Sequence, residues 1–247
     1  MIASDSWLAA LRSDSAALAA AARAAGPDAA VPSCPGWTVA DLLGHITNVH
    51  SWVSEIVESD AKERPPRPDA VPPPAGEDLT APFEANADRV LRALSAAGPG
   101  VKIWNWAAGA PAPVDFWQRR MAHETAIHRV DAELAAGKAN PVEPAELAVD
   151  GIDEYLGMLV PWVLERGRQS GFEATFHFHA TDVAGEWQVS LGPGRMEVRR
   201  EHGKAAVAVR GPASDLELFL YNRRPADGLE VFGEAGLLDR WREGIRL

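Results

Sequence analysis

The chain is poor in the features that mark secreted or membrane-inserted proteins. Cys34 is its only cysteine, so no disulfide can form within the chain. No apolar run approaches the ~18 residues that a transmembrane helix needs. The N-terminal stretch MIASDSWLAALRSDSAALAA is acidic and amphipathic rather than charged and then apolar, which is not the pattern of a signal peptide. These absences predict an intracellular protein located in the cytoplasm.

Basic blocks are also missing from the sequence. The formal net charge is -11 at pH 7 and the sequence pI is near 5.1, which argues against nucleic acid as the main partner. Without a cluster of Lys and Arg, binding to an anionic membrane surface is not expected either. The 247 residues, 47% of them hydrophobic, provide for one large or two small domains with a buried core.

The first two thirds of the chain have the periodicity of amphipathic helices. Thr38 and Asp41, three residues apart, predict a capping box at the start of the second helix. Two long connections interrupt the pattern: the Pro-rich KERPPRPDAVPPPAGED, and GPGVKIWNWAAGAPAPVD, whose Trp104 and Trp106 either serve function or cap the end of a bundle. The predicted helices cover about 5–25, 38–60, 79–97, 115–136 and 143–166.

The last third of the chain changes to short alternating segments separated by Gly-containing turns, a pattern typical of β-strands. ATFHFHATD, EWQVSLG, MEVRREHG and AAVAVRG are four predicted strands. SDLELFLYNRR, with Ser214 as its cap, and EAGLLDRWREGI are predicted helices, with the strand LEVFG between them. The sequence therefore predicts an α+β protein with a helical bundle at 1–168 and a small α+β domain at 169–247.

Three residues carry the strongest chemical signal: His45, Glu124 and His128. At about 100° per residue, the four-residue spacing of Glu124 and His128 places both side chains on one helix face. Together with His45 from a facing helix they would give two imidazoles and one carboxylate, a ligand set that catalytic zinc uses while keeping one position open. His123 and His128 are five residues apart and about 140° apart around the helix, so the zinc-protease pattern H-E-x-x-H is not met.

Other candidate groups are weaker. His50 lies five residues from His45 and is rotated off its face, so we expect it, like His123, to bond other polar groups. His177 and His179 lie two apart on one face of a strand, but the sequence shows no third ligand near them. Cys34 lies beside Pro35 just before a helix, which favours a structural role over that of a nucleophile.

Several motifs together resemble the mycothiol-dependent maleylpyruvate isomerase family of actinobacteria. VPSCPGWTVADLLGH is similar to the family's opening motif, and DFWQRRMAHETAIHRVDA is similar to its second metal motif. HATD, EWQVS, DLELFLYNRRP and LEVFGEAGLLDRW are similar to its C-terminal domain. The resemblance implies a DinB-like, up-up-down-down four-helix bundle followed by a C-terminal domain that itself resembles sterol-carrier folds.

The resemblance also implies roles for individual residues. His45, Glu124 and His128 would bind one divalent metal, most readily zinc. Arg223, in LYNRRP, matches an arginine near the active site. The family usually has glycine before this arginine whereas this chain has Asn222, so Arg224 stays open as the alternative.

The implied chemistry is that of an enzyme using a low-molecular-weight thiol, mycothiol, as cosubstrate. Metal coordination removes the proton of a thiol, and the metal-bound thiolate would add to the double bond of maleylpyruvate, permit rotation, and leave. An S-transferase would use the same thiolate on an electrophilic small molecule and keep the new bond. The alternative from another class is a non-catalytic protein that binds a small molecule or lipid on the same scaffold.

Overall fold

The structure, a computed structural model, describes residues 3–66, 78–98, 100–138, 140–167 and 172–245. Most of the Pro-rich connection, residues 67–77, lies outside the described residues, and so does the predicted domain boundary at 168/169. Two compact units divide between Asn140 and Pro141. The helical segment that follows Pro141 thus belongs to the second unit, because its apolar face packs on a helix of that unit, which a periodicity pattern alone cannot show.

The first unit is a bundle in which α1 packs on α4 and α3, and α2 packs on α3 and α4. The predicted capping box is confirmed: the Thr38 hydroxyl accepts from the backbone N–H of Asp41 at 3.3 Å, and the Asp41 carboxylate accepts from the backbone N–H of Thr38 at 2.8 Å. These bonds satisfy two N–H groups that a helix start otherwise leaves without partners. The helices are α1 Ser4–Ala25, α2 Val39–Glu58, α3 Thr80–Ala96 and α4 Asp115–Ala135.

The connection between α3 and α4 contains a short antiparallel hairpin, β1 Lys102–Trp104 with β2 Pro111–Pro113. Trp104 is buried and packs edge-on against Trp52, at 5.8 Å between ring centroids. Trp106 packs edge-on against Phe116 at 5.6 Å. Both indoles therefore extend the apolar core of the bundle, in agreement with the interpretation that they cap its end.

Helix α4 is unusual because polar side chains are buried around most of its circumference. On one side, the Arg129 guanidinium lies 3.0 Å from the Asp14 carboxylate of α1 and donates to Glu133 at 2.8 Å. Glu133 also accepts from the backbone and the side chain of Asn140, at 3.0 and 2.9 Å. Buried charges are tolerated only when they are paired and hydrogen-bonded, and this network provides that pairing where α1 and α4 pack.

Asp14 should make the stability of the protein depend on pH. Burial raises the pKa of Asp14 from 3.8 to about 6, although Arg129 opposes the shift. The folded state therefore binds the proton of the Asp14 carboxyl more tightly than the unfolded state does. Asp14 contributes stability that is fully present below about pH 4 and is lost as the pH rises through 6. We expect the difference in unfolding free energy between wild type and Asp14→Asn to change by about 3 kcal/mol between pH 4 and 7, at about 1.36 kcal/mol per pKa unit.

Urea unfolding at several pH values measures this effect. Asp5→Asn, which removes an exposed carboxylate from the same helix, is the matched control and should follow the wild-type profile. Parallel profiles for wild type and Asp14→Asn would contradict the expectation.

The second unit is built on a mixed five-stranded sheet in the order β5-β4-β3-β6-β7, with β3 and β6 parallel and the other pairs antiparallel. The predicted helix at 143–166 is interrupted by one π turn, Tyr155–Leu159, two residues before Pro161. The elements are α5 Ala145–Glu154, α6 Val160–Glu165, β3 Ala174–Ala180, β4 Glu186–Gly192, β5 Arg195–Arg199, β6 Val207–Gly211, α7 Ala213–Leu220, β7 Glu230–Gly233 and α8 Gly236–Gly244.

The core of this unit lies on one face of the sheet. Phe176 and Phe178 of β3 pack edge-on against Trp241 of α8, with ring centroids 4.8 and 5.7 Å apart. The prediction that Ser214 caps α7 is wrong: Pro212 precedes the helix, and the Ser214 hydroxyl accepts instead from the backbone N–H of Val142 at 2.7 Å.

The α+β fold class predicted from the sequence is confirmed by this succession of a helical bundle and a sheet-containing unit. Among the described residues, none of the helices combines the length and the apolar character that crossing a membrane requires.

Candidate metal centre

Helices α2 and α4 bring His45, Glu124 and His128 together. The spacing of Glu124 and His128 predicted their shared helix face, whereas the resemblance implied the approach of His45. One ligand atom from each residue lies within 4.8 Å of the others. The Glu124 carboxylate oxygen Oε1 is 3.2 Å from His45 Nε2 and 3.5 Å from His128 Nε2. The two imidazole rings meet edge-on with centroids 4.9 Å apart. Three potential ligand atoms from two helices thus surround one point.

This arrangement fits a divalent first-row metal. Around a tetrahedral ion with bonds of ~2.0–2.1 Å, neighbouring ligand atoms are about 3.3 Å apart, and the two separations to Glu124 are 3.2 and 3.5 Å. Imidazole nitrogen and carboxylate oxygen are donors that suit zinc and its neighbours. Among the described residues three ligand side chains converge here, and a tetrahedral ion held by three protein ligands has a fourth position for an exogenous ligand.

Asp131 orients one of these imidazoles. Its fully buried carboxylate accepts from His128 Nδ1 at 2.8 Å and from the Ser33 hydroxyl at 2.5 Å, and the Cys34 thiol lies 3.6 Å away. With Nδ1 engaged, Nε2 of His128 is the nitrogen that faces Glu124. A carboxylate behind a metal-binding histidine fixes its tautomer and ring orientation in the same way at known sites.

Arg120 completes the electrostatics. It lies one turn before Glu124 and forms an ion pair with the second carboxylate oxygen. Burial alone would raise the pKa of Glu124, but Arg120, His128 and His45 together hold it well below its usual range. Burial alone would lower the pKa of His128, but its bonds to Asp131 and Glu124 raise it to about 9. Glu124 is therefore ionised at neutral pH, and a metal must displace a proton from His128.

The site is reachable from outside the bundle. The His45 side chain is 30% exposed, and those of Glu124 and His128 are 18% and 11% exposed. The Trp37 ring, from the PGW turn before α2, lies 5.2 Å from the His45 ring. An aromatic wall beside a half-open cluster of ligands suits a small molecule with an apolar part.

The residues that the sequence analysis set aside have other contacts. His50 is fully buried, its Nε2 lies 3.0 Å from the Thr125 hydroxyl, and burial lowers its pKa to about 3, so the ring is neutral. His123 is also fully buried. The Cys34 thiol lies 3.6 Å from Asp131 Oδ2, the oxygen that also accepts from His128 Nδ1.

Arg223 and Arg224 follow α7, and the backbone there explains the unusual Asn222. Asn222 has a φ of 62°, in the left-handed region that glycine favours and asparagine tolerates. The N–H of Asn222 bonds the Phe219 carbonyl and the N–H of Arg223 bonds the Leu218 carbonyl, which is a Schellman ending. Asn222 therefore occupies a backbone position that glycine would also adopt, directly before Arg223.

The two arginines differ in their side-chain contacts. Arg224 forms an ion pair with Asp215, whereas an Arg223 side-chain N–H donates to the Tyr221 carbonyl at 2.8 Å. The role of Arg223 stays a prediction from the resemblance.

Sequence reasoning missed Asp131, Arg120 and Ser33. The position of Asp131 could have been predicted, because a carboxylate three residues after a candidate ligand lies on the same helix face. The position of Arg120 could also have been predicted, because Arg120 lies four residues before Glu124. The position of Ser33 could not, since a residue in an irregular loop has no periodicity that places it near α4.

Comparison with known families decides the classification. The model of the mycothiol maleylpyruvate isomerase N-terminal domain matches residues 8–133, and that of the corresponding C-terminal domain matches residues 146–240. The chain belongs to the mycothiol maleylpyruvate isomerase family. This membership confirms the family predicted from the sequence motifs, and with it the prediction of an enzyme.

Solved structures agree with the family in fold. The crystal structure of the mycothiol-dependent maleylpyruvate isomerase matches with a TM-score of 0.68 at 16% identity, over 100% of this chain and 98% of the other. A histidine-to-alanine mutant of that isomerase matches with a TM-score of 0.66 at 14% identity, over 100% and 98%. No curated protein sequence matches the chain. At these identities the likeness establishes the fold, and the reaction needs its own argument.

Proposed function

We propose that this protein is a metal- and mycothiol-dependent isomerase of the maleylpyruvate type. The observation that carries the proposal is the convergence of His45, Glu124 and His128 on one point in a chain of this family. Zinc is the metal we favour, because the donor set and the spacing suit it. We place the enzyme in the cytoplasm, with a small thiol and an electrophilic acid as its partners.

The protein's own groups prepare the site for an anionic sulfur. A bound divalent metal would supply a Lewis acid that holds a thiol in its thiolate form at neutral pH. Glu124 contributes one negative charge and the histidines none, so the loaded site carries a net positive charge that a thiolate would neutralise. Arg120 keeps Glu124 ionised, and Asp131 keeps His128 Nε2 directed inward.

The isomerisation itself needs no redox partner. The thiolate adds to one carbon of the electron-poor cis double bond, and the electron pair moves to the conjugated carbonyl as an enolate. Rotation about the new single bond would follow, and the enolate electron pair would then re-form the double bond as the thiolate leaves, which gives the trans product and regenerates the thiolate. A positioned cation stabilises the enolate, and we propose Arg223 for this role.

The test is incubation of the purified, zinc-loaded protein with mycothiol and maleylpyruvate. Conversion to the trans isomer without consumption of thiol is the expected result. A stable thiol adduct seen by mass spectrometry would instead indicate the S-transferase, which needs the same activated sulfur. Binding of thiol or substrate without turnover across a panel of electrophiles would favour the non-catalytic alternative.

Exchanging Arg223 for alanine should lower kcat by about 100-fold, a typical cost of losing one group that stabilises an oxyanion. Arg224→Ala is the matched control, since this side chain pairs with Asp215, and it should change kcat less than about threefold. Steady-state kinetics with metal content measured in each sample provides the comparison. The reverse ranking of the two variants would assign the role to Arg224.

A further inference from the structure

A second cluster of metal-binding side chains lies in the sheet of the C-terminal unit. His177 on β3, Glu186 on β4 and His202 in the turn after β5 each offer a ligand atom within 4.8 Å of the others. The Glu186 Oε1 atom is 3.7 Å from His177 Nε2 and 3.1 Å from His202 Nδ1. The rings of His177 and His202 meet edge-on at 4.9 Å. Glu186 lies 9 positions after His177 and 16 positions before His202. No local sequence motif therefore predicts the cluster.

Sheet register builds this cluster. In β3 and β4 alternate side chains point to opposite faces, and Phe178 pairs with Trp187 on the buried face. His179 pairs directly with Glu186 on the other face, and His177 follows two residues away on that same face. The Glu186 carboxylate therefore lies beside both strand histidines, and it accepts a hydrogen bond from His179.

The turn that carries His202 is fixed against β4. The Gln188 side chain donates to the Lys204 carbonyl at 2.9 Å. A Cβ on Gly203 would lie 2.6 Å from the Gln188 side-chain oxygen, so a larger residue there would require the Gln188 side chain to shift. Arg200 lies over the Trp187 ring at 4.8 Å and donates to Asp153 at 2.9 Å. His202 is thus held next to Glu186 although its side chain is 78% exposed.

The chemistry of the cluster suits a cation. Nε2 of His177 is buried and has no hydrogen-bond partner among the described residues, an arrangement that is unfavourable unless a ligand satisfies the nitrogen. Burial lowers the pKa of His177, and its neutral ring has a lone pair to offer. Hydrogen bonds from His202 and His179 lower the pKa of Glu186, so the carboxylate is ionised at neutral pH.

From this geometry we infer that His177, Glu186 and His202 form a second binding site for a divalent first-row transition metal such as zinc, with His179 positioning the carboxylate. Separations of 3.1 and 3.7 Å lie on either side of the about 3.3 Å expected between ligands of a tetrahedral ion. Three side-chain ligands leave a fourth position for water or a small molecule. Nothing in this inference depends on the reaction proposed for the bundle.

Zinc stoichiometry of the full-length protein tests the site. Equilibrium dialysis at about 10 µM free zinc should give two ions per wild-type chain and one ion per chain in His45→Ala. In the double variant with His202→Ala, the affinity of the second site for zinc should fall at least 100-fold, as expected for the loss of a ligand. The remaining ion should then be lost at this zinc concentration. Glu201→Ala, which removes an exposed carboxylate next to His202, is the matched control and should retain the ion.

Glu186→Gln gives a second route to the same answer, and circular dichroism checks that each variant folds. A His45→Ala protein that binds no zinc at this concentration would overturn the inference, and so would retention of the remaining ion in both the His202→Ala and Glu186→Gln backgrounds. The proposed isomerase would survive either result, because its metal is measured separately by the loss of one ion in His45→Ala.

Discussion

Replacing His45 by alanine should abolish the proposed isomerase activity, with kcat/KM falling by at least about 1,000-fold. Loss of one of three protein ligands leaves two, and the remaining Glu124–His128 pair is preorganised only as an ion pair within one helix. A Lewis acid contributes several kcal/mol to stabilising developing charge, and about 4 kcal/mol corresponds to a factor of 1,000. The bundle should remain folded, because the His45 side chain is 30% exposed.

Elemental analysis and kinetics on the same samples check this expectation. Glu55→Ala removes an exposed side chain from the same helix and serves as the control, with wild-type metal content and activity expected. Normal activity in His45→Ala would exclude this residue as a ligand and would refute the proposed site.

Changing Asp131 to asparagine should weaken metal binding by about 10- to 100-fold, the usual effect of altering the carboxylate behind a metal-binding histidine. The amide can present an N–H to His128 Nδ1, and this would favour the tautomer with its proton on Nε2, the nitrogen that the metal needs. The side-chain volume stays nearly the same, so the effect would be one of proton placement rather than packing. Competition with a chromophoric chelator measures the change in affinity.

Ser33→Ala is the matched control for this experiment. It removes one of the bonds to the Asp131 carboxylate and leaves the bond to His128 in place. We expect a change of less than about fivefold in zinc affinity. Equal losses in the two variants would mean that Asp131 acts by supporting the loop rather than by orienting the imidazole.

Much of the candidate site could be predicted from sequence because its geometry is local. Glu124 and His128 share a helix face by spacing alone, and Thr38 fixes the start of the helix that carries His45. The phase of α4 and the capping box of α2 depend on residues close together in sequence, and the structure reproduces both.

The features that sequence could not supply depend on which segments meet in space. The hydroxyl of Ser33 reaches Asp131 from 98 residues away, and Glu186 approaches His177 only through the register of a hairpin. Ser214 is a predicted helix cap because serine favours that position, but its hydroxyl accepts a hydrogen bond from the backbone N–H of Val142 instead. Residue type restricts the possible hydrogen bonds, and tertiary packing selects among them.

The position of the unit boundary also depends on contacts between segments that are distant in sequence. A strong apolar face on a helix predicts that the helix packs on another element, but it does not indicate which one. The apolar face of α5 packs on α7 of the second unit, and the compact units accordingly divide between Asn140 and Pro141, earlier than the linker at 168/169 that the sequence suggested.

The polar interior of α4 has a consequence for engineering this protein. Arg129 and Glu133 stabilise the packing against α1 from the same helix that carries the proposed metal ligands Glu124 and His128, and Arg129 is the immediate neighbour of His128. Replacing a whole buried ion cluster by well-packed apolar side chains is often neutral or stabilising in other proteins. Here the buried ion pairs face α1, so a thermostable variant is best sought by replacing Asp14, Arg129 and Glu133 together. Selection for stability alone would otherwise favour apolar residues on the ligand side too and trade away catalysis.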